Sequence, residues 1–338
     1  MTRWISKKRQ GFTLVELLVV IAIIGLLAAI AVPAAMRAIV STQEATMKME
    51  VDSLASALEQ YRSKYGDYPP DGSNFAQFQQ HCRKAFPQIL QTEIALFAPG
   101  SPKSCAGGAA VVASDSETLV TRCMEPAEAL VLFLGGLSDD PQRPFTGPGG
   151  PIADADGNPA TTADMQYNPA RTNAIFEFNA SRLTVTTSGS FTISNDETTF
   201  SGMGANDLLP VYLGRYGDAP YAYFNAKTYT LPLSGGGLYV NRYAHTTFGT
   251  AVPYRSDEMN TATSPAVPFF ASKSSFQVVG SGMDGKFNDI GPATVPTFGT
   301  IQQYTSSIAM KSSDTSYDNV ADFSSTAKIG DAARAANR

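Results

Sequence analysis

The chain has 338 residues, 25 basic and 30 acidic side chains, and a formal net charge of −5. Its length suggests about two domains of roughly 150 residues each. A hydrophobic content of 43% is enough to build a core, which argues against a disordered chain. With 2 His and 3 Cys, the composition argues against a dedicated zinc site and against Ser-His-Asp or Cys-His catalysis. No long basic block follows the N-terminus, which argues against nucleic-acid binding.

The N-terminal segment has the pattern of a membrane helix. The first eleven residues contain basic side chains and no acidic one, and Glu16 is the single charged residue between Phe12 and Met36. A bilayer needs about 20 apolar residues, so this segment is long enough to span it, with the basic leader in the cytoplasm. The alternative is a secretory signal cleaved near Val32. Against that alternative, the carboxylate of Glu16 inside the apolar segment costs roughly 2.5–3.5 kcal/mol on insertion scales.

The helical pattern continues beyond this segment, as a cleaved signal would not. One apolar stripe has members three, four or seven residues apart, which is helical spacing: Met36, Val40, Met47, Val51, Leu54, Leu58, Tyr61 and Tyr65. Gly66 is a typical C-terminal helix residue. The pattern therefore predicts one helix from Phe12 to Tyr65, about 80 Å long. Pro33 removes the hydrogen bond to the carbonyl of Ala29 and predicts a kink there.

The remaining chain predicts a β-rich domain. A short buried helix is expected within Glu125–Leu137, closed by Gly135 and Gly136, and residues 138–172 are expected to form a long loop without regular structure. Alternating apolar segments predict strands at Ala174–Phe178, Leu183–Thr187, Phe191–Ser194, Tyr221–Leu231 and Ser275–Val279.

Residues 8–18, with the sequence KRQGFTLVELL, resemble the N-terminal signal of type IV pilins and type II secretion pseudopilins. The resemblance implies that an inner-membrane prepilin peptidase cleaves between Gly11 and Phe12 and methylates the new N-terminus at Phe12. Glu16 would then be the fifth mature residue and Pro33 the twenty-second, as is usual in the family. The ammonium of Phe12 on an adjacent subunit would neutralise Glu16, which otherwise is a tolerated glutamate near the interface.

The resemblance also implies an α+β pilin fold, in which a long, kinked N-terminal helix packs on an antiparallel sheet with large insertions. The expected divisions are a cleaved leader (1–11), a transmembrane and assembly half of the helix (12–36), an amphipathic half (37–66) and an extracytoplasmic domain (67–338). The turn after Gly66 and the segment before Tyr221 also resemble major pseudopilins.

Residues 279–287 resemble the calcium-binding loop of major pseudopilins, and residues 317–323 resemble the segment that closes that site. The resemblance implies Ca²⁺ ligands at Asp284, Asp318 and Asn319, with Asp289 as a further candidate ligand. Asn319 replaces the second aspartate that is usual in the family. Carboxylate, carboxamide and carbonyl oxygens are the ligands that Ca²⁺ takes. The alternative is a polar turn without a metal ion.

An extracytoplasmic domain permits one disulfide among three cysteines. Cys105 and Cys123 are the favoured pair, because a bond between them would close a loop-rich segment, and Cys82 would remain a thiol.

These features predict a structural subunit and not an enzyme. The resemblance implies a single-pass inner-membrane protein with a periplasmic domain, which polymerises into a periplasmic pseudopilus that drives protein export. Its partners would be further copies of itself, other pseudopilins, the prepilin peptidase and the inner-membrane secretion platform, without nucleic acid. The alternatives are a subunit of a surface type IV pilus (adhesion, motility or DNA uptake), a minor tip pseudopilin, or an enzyme tethered by the helix. The sequence contains no catalytic constellation that favours an enzyme.

Overall fold

The computed structural model describes residues 12–97, 124–155, 157, 165–184, 209–232, 238–245, 247–260, 267–288, 319–324, 326, 328 and 329. The chain divides into two units, Met1–Ala45 and Thr46–Arg338. The described helices are α1 (Leu14–Tyr65), α2 (Phe75–Ala85), α3 (Gln91–Ala95) and α4 (Ala129–Leu134). Short 3-10 turns cover Ala180–Arg182 and Ala226–Thr228.

The described strands are short. They are β1 (Ile152–Ala153), β2 (Gln166–Tyr167), β3 (Leu183–Thr184), β4 (Val211–Tyr212), β5 (Ala222–Asn225), β6 (Thr230–Pro232), β7 (Leu238–Val240), β8 (Tyr243–His245), β9 (Gly249–Ala251), β10 (Arg255–Asn260), β11 (Val267–Phe270), β12 (Phe276–Gly280) and β13 (Val320–Ala321). Strands β13, β12 and β5 form an antiparallel sheet in that order, and β1–β2, β3–β4, β6–β7, β8–β9 and β10–β11 form antiparallel pairs. The long helix and these small sheets give the predicted α+β class, and they are consistent with the pilin fold.

Helix α1 confirms the long helix that the apolar spacing predicts. It has 52 residues and continues on both sides of Pro33. Because proline has no N–H, one hydrogen bond is missing inside a helix that neither ends nor restarts there, and the kink at Pro33 stays a prediction. Gly66 ends the helix as expected, with a φ of 77° and an N–H that donates to the carbonyl of Arg62 at 2.8 Å. A positive φ is readily available only to glycine, which explains the residue at this position.

The three-stranded sheet is buried on both faces. Alternate residues of the strands face a helix-side cluster, which also contains the buried stripe of α1. The strands contribute Tyr223, Phe276, Val278 and Val320, and Tyr221 joins them from the position before β5. Helix α1 contributes Met47, Val51, Leu54, Ala57, Leu58 and Tyr61. The intervening residues face a far-side cluster that includes Ala222, Phe224, Val279, Ala321, Tyr243, Tyr254, Phe287 and Ile329. Because successive side chains of a strand point to opposite faces, this alternation fixes the register of the sheet.

One ion pair fastens α1 to the β3–β4 region. The guanidinium of Arg182 donates to both carboxylate oxygens of Glu50, at 2.5 and 2.9 Å, and the hydroxyls of Tyr212 and Tyr221 donate to the same carboxylate at 3.0 and 2.6 Å. Burial acts to raise the pKa of Glu50, but the hydrogen bonds from Arg182 and the two tyrosines outweigh it and lower that pKa below its usual value. The carboxylate of Glu50 is therefore charged and fully engaged at neutral pH.

The strand predicted at Ala174–Phe178 is wrong. The N–H groups of Ile175 and Phe176 donate to the carbonyl of Leu134, at 2.9 and 3.0 Å. The segment therefore bonds to the end of α4 instead of to a neighbouring strand, and its apolar side chains are partly buried against the helix-side cluster. Alternating apolar residues arise here from packing and not from a strand ladder.

The other predicted strands have different outcomes. The segment Ser275–Val279 is confirmed as β12. The segment Tyr221–Leu231 is divided between β5 and the first two residues of β6. The side chain of Asn225 accepts a backbone N–H two residues further on and starts a 3-10 turn between the two strands. Of Leu183–Thr187, the first two residues form β3. Its remainder, and all of Phe191–Ser194, lies outside the described residues.

The described parts of residues 138–172 contradict the expectation of a loop without regular structure. Strands β1 and β2 pair within this segment. The buried carboxylate of Glu93 accepts the N–H groups of Phe145 and Thr146, at 2.8 and 3.1 Å. A side chain that lies 52 residues earlier in the chain than Phe145 therefore holds this segment, and local composition could not indicate it.

Helix α4 confirms the short helix expected within Glu125–Leu137, and all six of its residues are buried. Gly136 has a φ of 113°, and an added Cβ would lie 2.1 Å from a backbone oxygen, so this position requires glycine. The guanidinium of Arg171 donates to the carbonyls of Val131 and Gly136, both at 2.6 Å, and so satisfies the end of the helix. Burial lowers the pKa of Arg171 to about 10, which leaves it charged at neutral pH.

A buried histidine makes the stability of the second unit sensitive to pH. His81 of α2 is 7% exposed and shares a hydrogen bond of 2.9 Å with the hydroxyl of Tyr61 on α1. Burial lowers the pKa of His81 from 6.5 to about 4. Between these two values the unfolded chain binds a proton that the folded chain does not, so the free energy of unfolding falls as the pH falls. The expected loss is up to about 3 kcal/mol.

The variant His81→Gln tests this expectation, because glutamine still hydrogen-bonds Tyr61 but does not titrate. The measurement is the free energy of unfolding of the full chain in detergent between pH 7 and pH 4. Burial raises the pKa of Asp322 to about 7, which acts in the opposite direction, so the difference between wild type and variant is the informative quantity. We expect that difference to grow as the pH falls, with the wild type losing more stability. Parallel pH profiles would show that His81 does not contribute.

Candidate assembly site

The first unit presents an apolar helix surface without a covering in the described chain. Every residue from Phe12 to Thr42 is exposed, including Leu14 at 78% and Ile30 at 68%. A helix that packs on the core of a soluble protein has its apolar side chains on one face. Here the apolar side chains lie on all sides of α1, so this part of the helix does not have that pattern. It is also long and apolar enough to cross a membrane, which is consistent with membrane anchoring.

Glu16 forms a reciprocal capping box with Thr13 at the start of α1. The N–H and the hydroxyl of Thr13 donate to Oε2 of Glu16, at 2.8 and 2.7 Å. In return, the N–H of Glu16 donates to Oγ1 of Thr13, at 3.2 Å. The arrangement satisfies N–H groups that have no partner in the first turn, and it places a negative charge at the positive end of the helix dipole.

This local contact adds to what the sequence analysis expects of Glu16. The sequence analysis expects the ammonium of an adjacent subunit to neutralise this carboxylate, and the structure gives it a further partner within its own first turn. Both side-chain hydrogen bonds fall on Oε2, and among the described residues no basic group pairs with the carboxylate. The sequence analysis missed Thr13, although the spacing Thr-x-x-Glu is itself the signal of a capping box.

The predicted calcium ligands are described only in part. Asp284 lies on the exposed turn between Gly282 and Gly285, both of which have positive φ, and its Oδ1 accepts the N–H of Lys286 at 2.8 Å. Asn319 is buried, immediately before β13. Asp318 and Asp289 lie outside the described residues, and the described residues contain no cluster of three His, Cys, Asp or Glu side chains that would hold a metal ion.

Asn319 nevertheless has an oxygen that suits a cation. Its Nδ2 donates to the carbonyl of Phe287 at 2.7 Å and to the hydroxyl of Tyr254 at 2.8 Å. Because only an N–H can donate to that carbonyl, the orientation of the amide is fixed, and Oδ1 is the remaining polar atom. This oxygen is buried and accepts no hydrogen bond within the described part of the chain. A buried acceptor without a donor is costly, and a cation such as Ca²⁺ would satisfy it.

The segment that contains Asn319 is hydrogen-bonded to β12. Asp322 accepts the N–H of Val278 at Oδ1, at 2.7 Å, and its own N–H donates to the carbonyl of Val278 at 3.2 Å. The N–H of Ile329 donates to the carbonyl of Asn319 at 2.9 Å. The sequence analysis did not single out Asp322. Its apolar neighbours indicate a strand, but no spacing shows that its carboxylate bonds back to β12.

The other predicted residues have separate outcomes. Phe12, the expected mature N-terminus, is 75% exposed. Gly11, Cys105 and Cys123 lie outside the described residues, so the cleavage site and the disulfide stay predictions. Cys82 is a buried free thiol on α2.

Comparison with known proteins places the N-terminal segment in a known class. The prokaryotic N-terminal methylation motif matches residues 6–32. The type IV major pilin protein PilE of Neisseria gonorrhoeae is 36% identical over 66 residues, which cover 20% of this chain and 40% of that pilin. No solved structure matches the chain. The matched range includes the capping box of α1, and together these findings describe a type IV pilin-like protein with an N-terminal methylation motif. The chain spans less than half of the pilin's length, so its particular activity does not follow from the match.

Proposed function

We propose that the protein is a structural subunit of a type II secretion pseudopilus. Prepilin peptidase cleaves between Gly11 and Phe12 and methylates Phe12, and α1 then packs with α1 of other copies in a filament. The observation that carries the proposal is an apolar helix, exposed on all sides, with a hydrogen-bonded carboxylate in its first turn. The similarity of the N-terminal segment to a type IV major pilin supports a filament subunit.

The proposed location follows from charge and hydropathy. The basic leader stays in the cytoplasm, residues 12–36 anchor the chain in the inner membrane, and residues 67–338 fold in the periplasm. The amphipathic residues 37–66 join the two parts. After cleavage, the subunit leaves the membrane for the filament with the help of the inner-membrane secretion platform and other pseudopilins.

Glu16 supplies the contact that favours the subunit in the filament over the single subunit in the membrane. Lipid tails are as apolar as the side chains of α1, so packing between apolar helices gains little from the hydrophobic effect. A carboxylate at membrane depth costs roughly 2.5–3.5 kcal/mol, and pairing it with an ammonium relieves that cost. Thr13 occupies Oε2 of Glu16 and holds its side chain, so that Oε1 is left to accept a hydrogen bond from the Phe12 ammonium of a neighbouring copy.

The variant Glu16→Gln tests this contact in the host cell, with the yield of filaments recovered from opened cells as the measurement. It keeps the shape of the side chain but removes the charge, and we expect filament yield to fall about tenfold or more, equivalent to at least about 1.4 kcal/mol. Thr13→Val keeps the carboxylate and removes the hydroxyl, so we expect a smaller loss. Asp52→Asn, which removes an exposed charge further along α1, is the matched control. Normal filaments from Glu16→Gln would contradict the proposed contact.

A surface type IV pilus is the second candidate, because the similar protein is a type IV major pilin. Such a pilus would serve adhesion, motility or DNA uptake. A deletion strain separates the two: loss of protein export with intact surface pili supports the pseudopilus, and loss of surface pili with intact export supports the pilus. A minor pseudopilin at the filament tip is a third candidate. The presence of Glu16 argues against it and favours a subunit of the main shaft.

We further propose that Ca²⁺ binds between the turn of Asp284 and the segment of Asn319. Asp284, Asp318 and Asn319 would be its side-chain ligands, and Asp289 is a further candidate ligand. Backbone carbonyls would complete the six to eight oxygens that Ca²⁺ requires. The orphaned Oδ1 of Asn319 supports the proposal. The ion would supply a structural link and no chemistry. Phe287 already connects Asn319 to the region after the turn, so the ion would strengthen an existing contact.

The calcium site is tested by thermal unfolding of the full chain in detergent, with about 1 mM Ca²⁺, with Mg²⁺ and with chelator. At a dissociation constant of about 10⁻⁴ M, we expect Ca²⁺ to stabilise the wild type by about 1.4 kcal/mol. Asp284→Ala should abolish this gain, and Asp139→Ala, at another exposed loop aspartate, should keep it. A midpoint that Ca²⁺ does not change in the wild type would leave a plain polar turn.

A further inference from the structure

A polar cleft of about 280 Å³ opens between α2 and the turn after β5. Gln77, Gln80 and Lys84 lie on its α2 wall, where spacings of three and four residues put them on one helix face. Lys227 and Asp67 lie across from them. Drug-sized ligands occupy pockets of about 300–1,000 Å³, so this cleft suits a smaller body, about the size of one sugar ring.

The mouth of the cleft carries an excess of positive charge. Asp67 pairs with two lysines: Lys227, and Lys84 at 3.5 Å. One carboxylate therefore faces two ammonium groups. Both lysine side chains are half exposed, at 55% and 54%, and each ammonium has three N–H groups, so donors remain for a ligand. This positive site stands out on a chain whose net charge is −5.

The oxygens of the second carboxyl group of the cleft, that of Asp71, are occupied by donors of the protein itself. It is 1% exposed and accepts five hydrogen bonds, from the N–H and hydroxyl of Ser73, the N–H of Asn225, the hydroxyl of Thr228 and the amide of Asn241. Burial raises its pKa above the usual value, against the effect of these hydrogen bonds. Asp71 thus builds the floor of the cleft and offers no acceptor to a ligand.

The remaining lining groups favour oxygen acceptors. The amides of Gln77 and Gln80 donate and accept, and His81 is neutral at physiological pH because its pKa is about 4. The first turn of α2 contains no acidic side chain that would repel an anion. Two lysines and two carboxamides around one small cleft are suited to a charged group together with neighbouring hydroxyls.

We propose that this cleft binds a small oxyanion, a carboxylate or phosphate on a body no larger than one sugar ring. The ammonium groups of Lys84 and Lys227 contact the anionic oxygens, and the carboxamides of Gln77 and Gln80 contact the remaining oxygens. The cleft lies in the second unit and involves no residue of the assembly site, so this inference stands apart from the proposed filament function.

The test is isothermal titration calorimetry of the full chain in detergent at low ionic strength, with glucuronate, inorganic phosphate and glucose as probes. We expect at least one of the two anions to bind, more weakly as salt is added, and glucose to bind at least about tenfold more weakly. Tighter binding of glucuronate than of phosphate would identify an acidic sugar as the source of the oxyanion. Equal binding of glucuronate and phosphate would show that the cleft recognises the anionic group and not the sugar ring. Absence of binding by both anions, or equal binding of glucose and glucuronate, would overturn the proposal.

Variants show whether the lysines carry the binding. We expect Lys84→Gln with Lys227→Gln to weaken anion binding at least about tenfold, while Lys64→Gln, an exposed lysine on α1 outside the cleft, leaves it unchanged. Thermal unfolding checks that each variant is folded. Should the double variant be unfolded, the single change Lys227→Gln replaces it, with a several-fold loss expected. Undiminished binding in the folded variants would contradict a role for these ammonium groups.

Discussion

The constraint on which this molecule depends is the apolar surface of α1 between Phe12 and Thr42. Those side chains are exposed on all sides, and no described residue covers them. Removing apolar surface from water is favourable by about 25 cal/mol for each Å² that is buried. Leaving an apolar surface of this length in contact with water is therefore strongly unfavourable. A membrane or the α1 helices of other copies must cover it. The proposed anchoring and the proposed assembly are the two ways to meet this one requirement.

The second unit meets the same requirement within its own chain. From Met47 onward, α1 has one buried stripe, and the sheet of β13, β12 and β5 shares the helix-side cluster with that stripe. The far-side cluster covers the other face of the sheet, so that β12 is buried along its whole length. Glu50 adds a charged contact to Arg182 beside the stripe. The apolar stripe of α1 from Met47 onward is therefore covered by the chain itself.

The sequence patterns predicted those elements whose structure depends on residues near one another in the chain. The spacing of apolar residues gave α1, Gly66 gave its end, and the alternation in Ser275–Val279 gave β12. The strand at Ala174–Phe178 was wrong because its backbone bonds to the end of α4, and the order of residues 138–172 was missed because distant side chains supply its hydrogen bonds. At the candidate site, Thr13 was readable from its spacing to Glu16, whereas the orphaned oxygen of Asn319 depends on contacts with Phe287 and Tyr254 that no local pattern encodes.

The central claim is that the mature protein keeps the apolar part of α1. Intact-mass spectrometry of the protein purified from the membrane fraction tests it most directly. The account predicts a chain that begins at Phe12 and carries one added methyl group. A mature chain that begins near Val32 would contradict it, because the apolar helix would then be a removed signal and neither the anchor nor the capping box of Thr13 and Glu16 would exist in the mature protein.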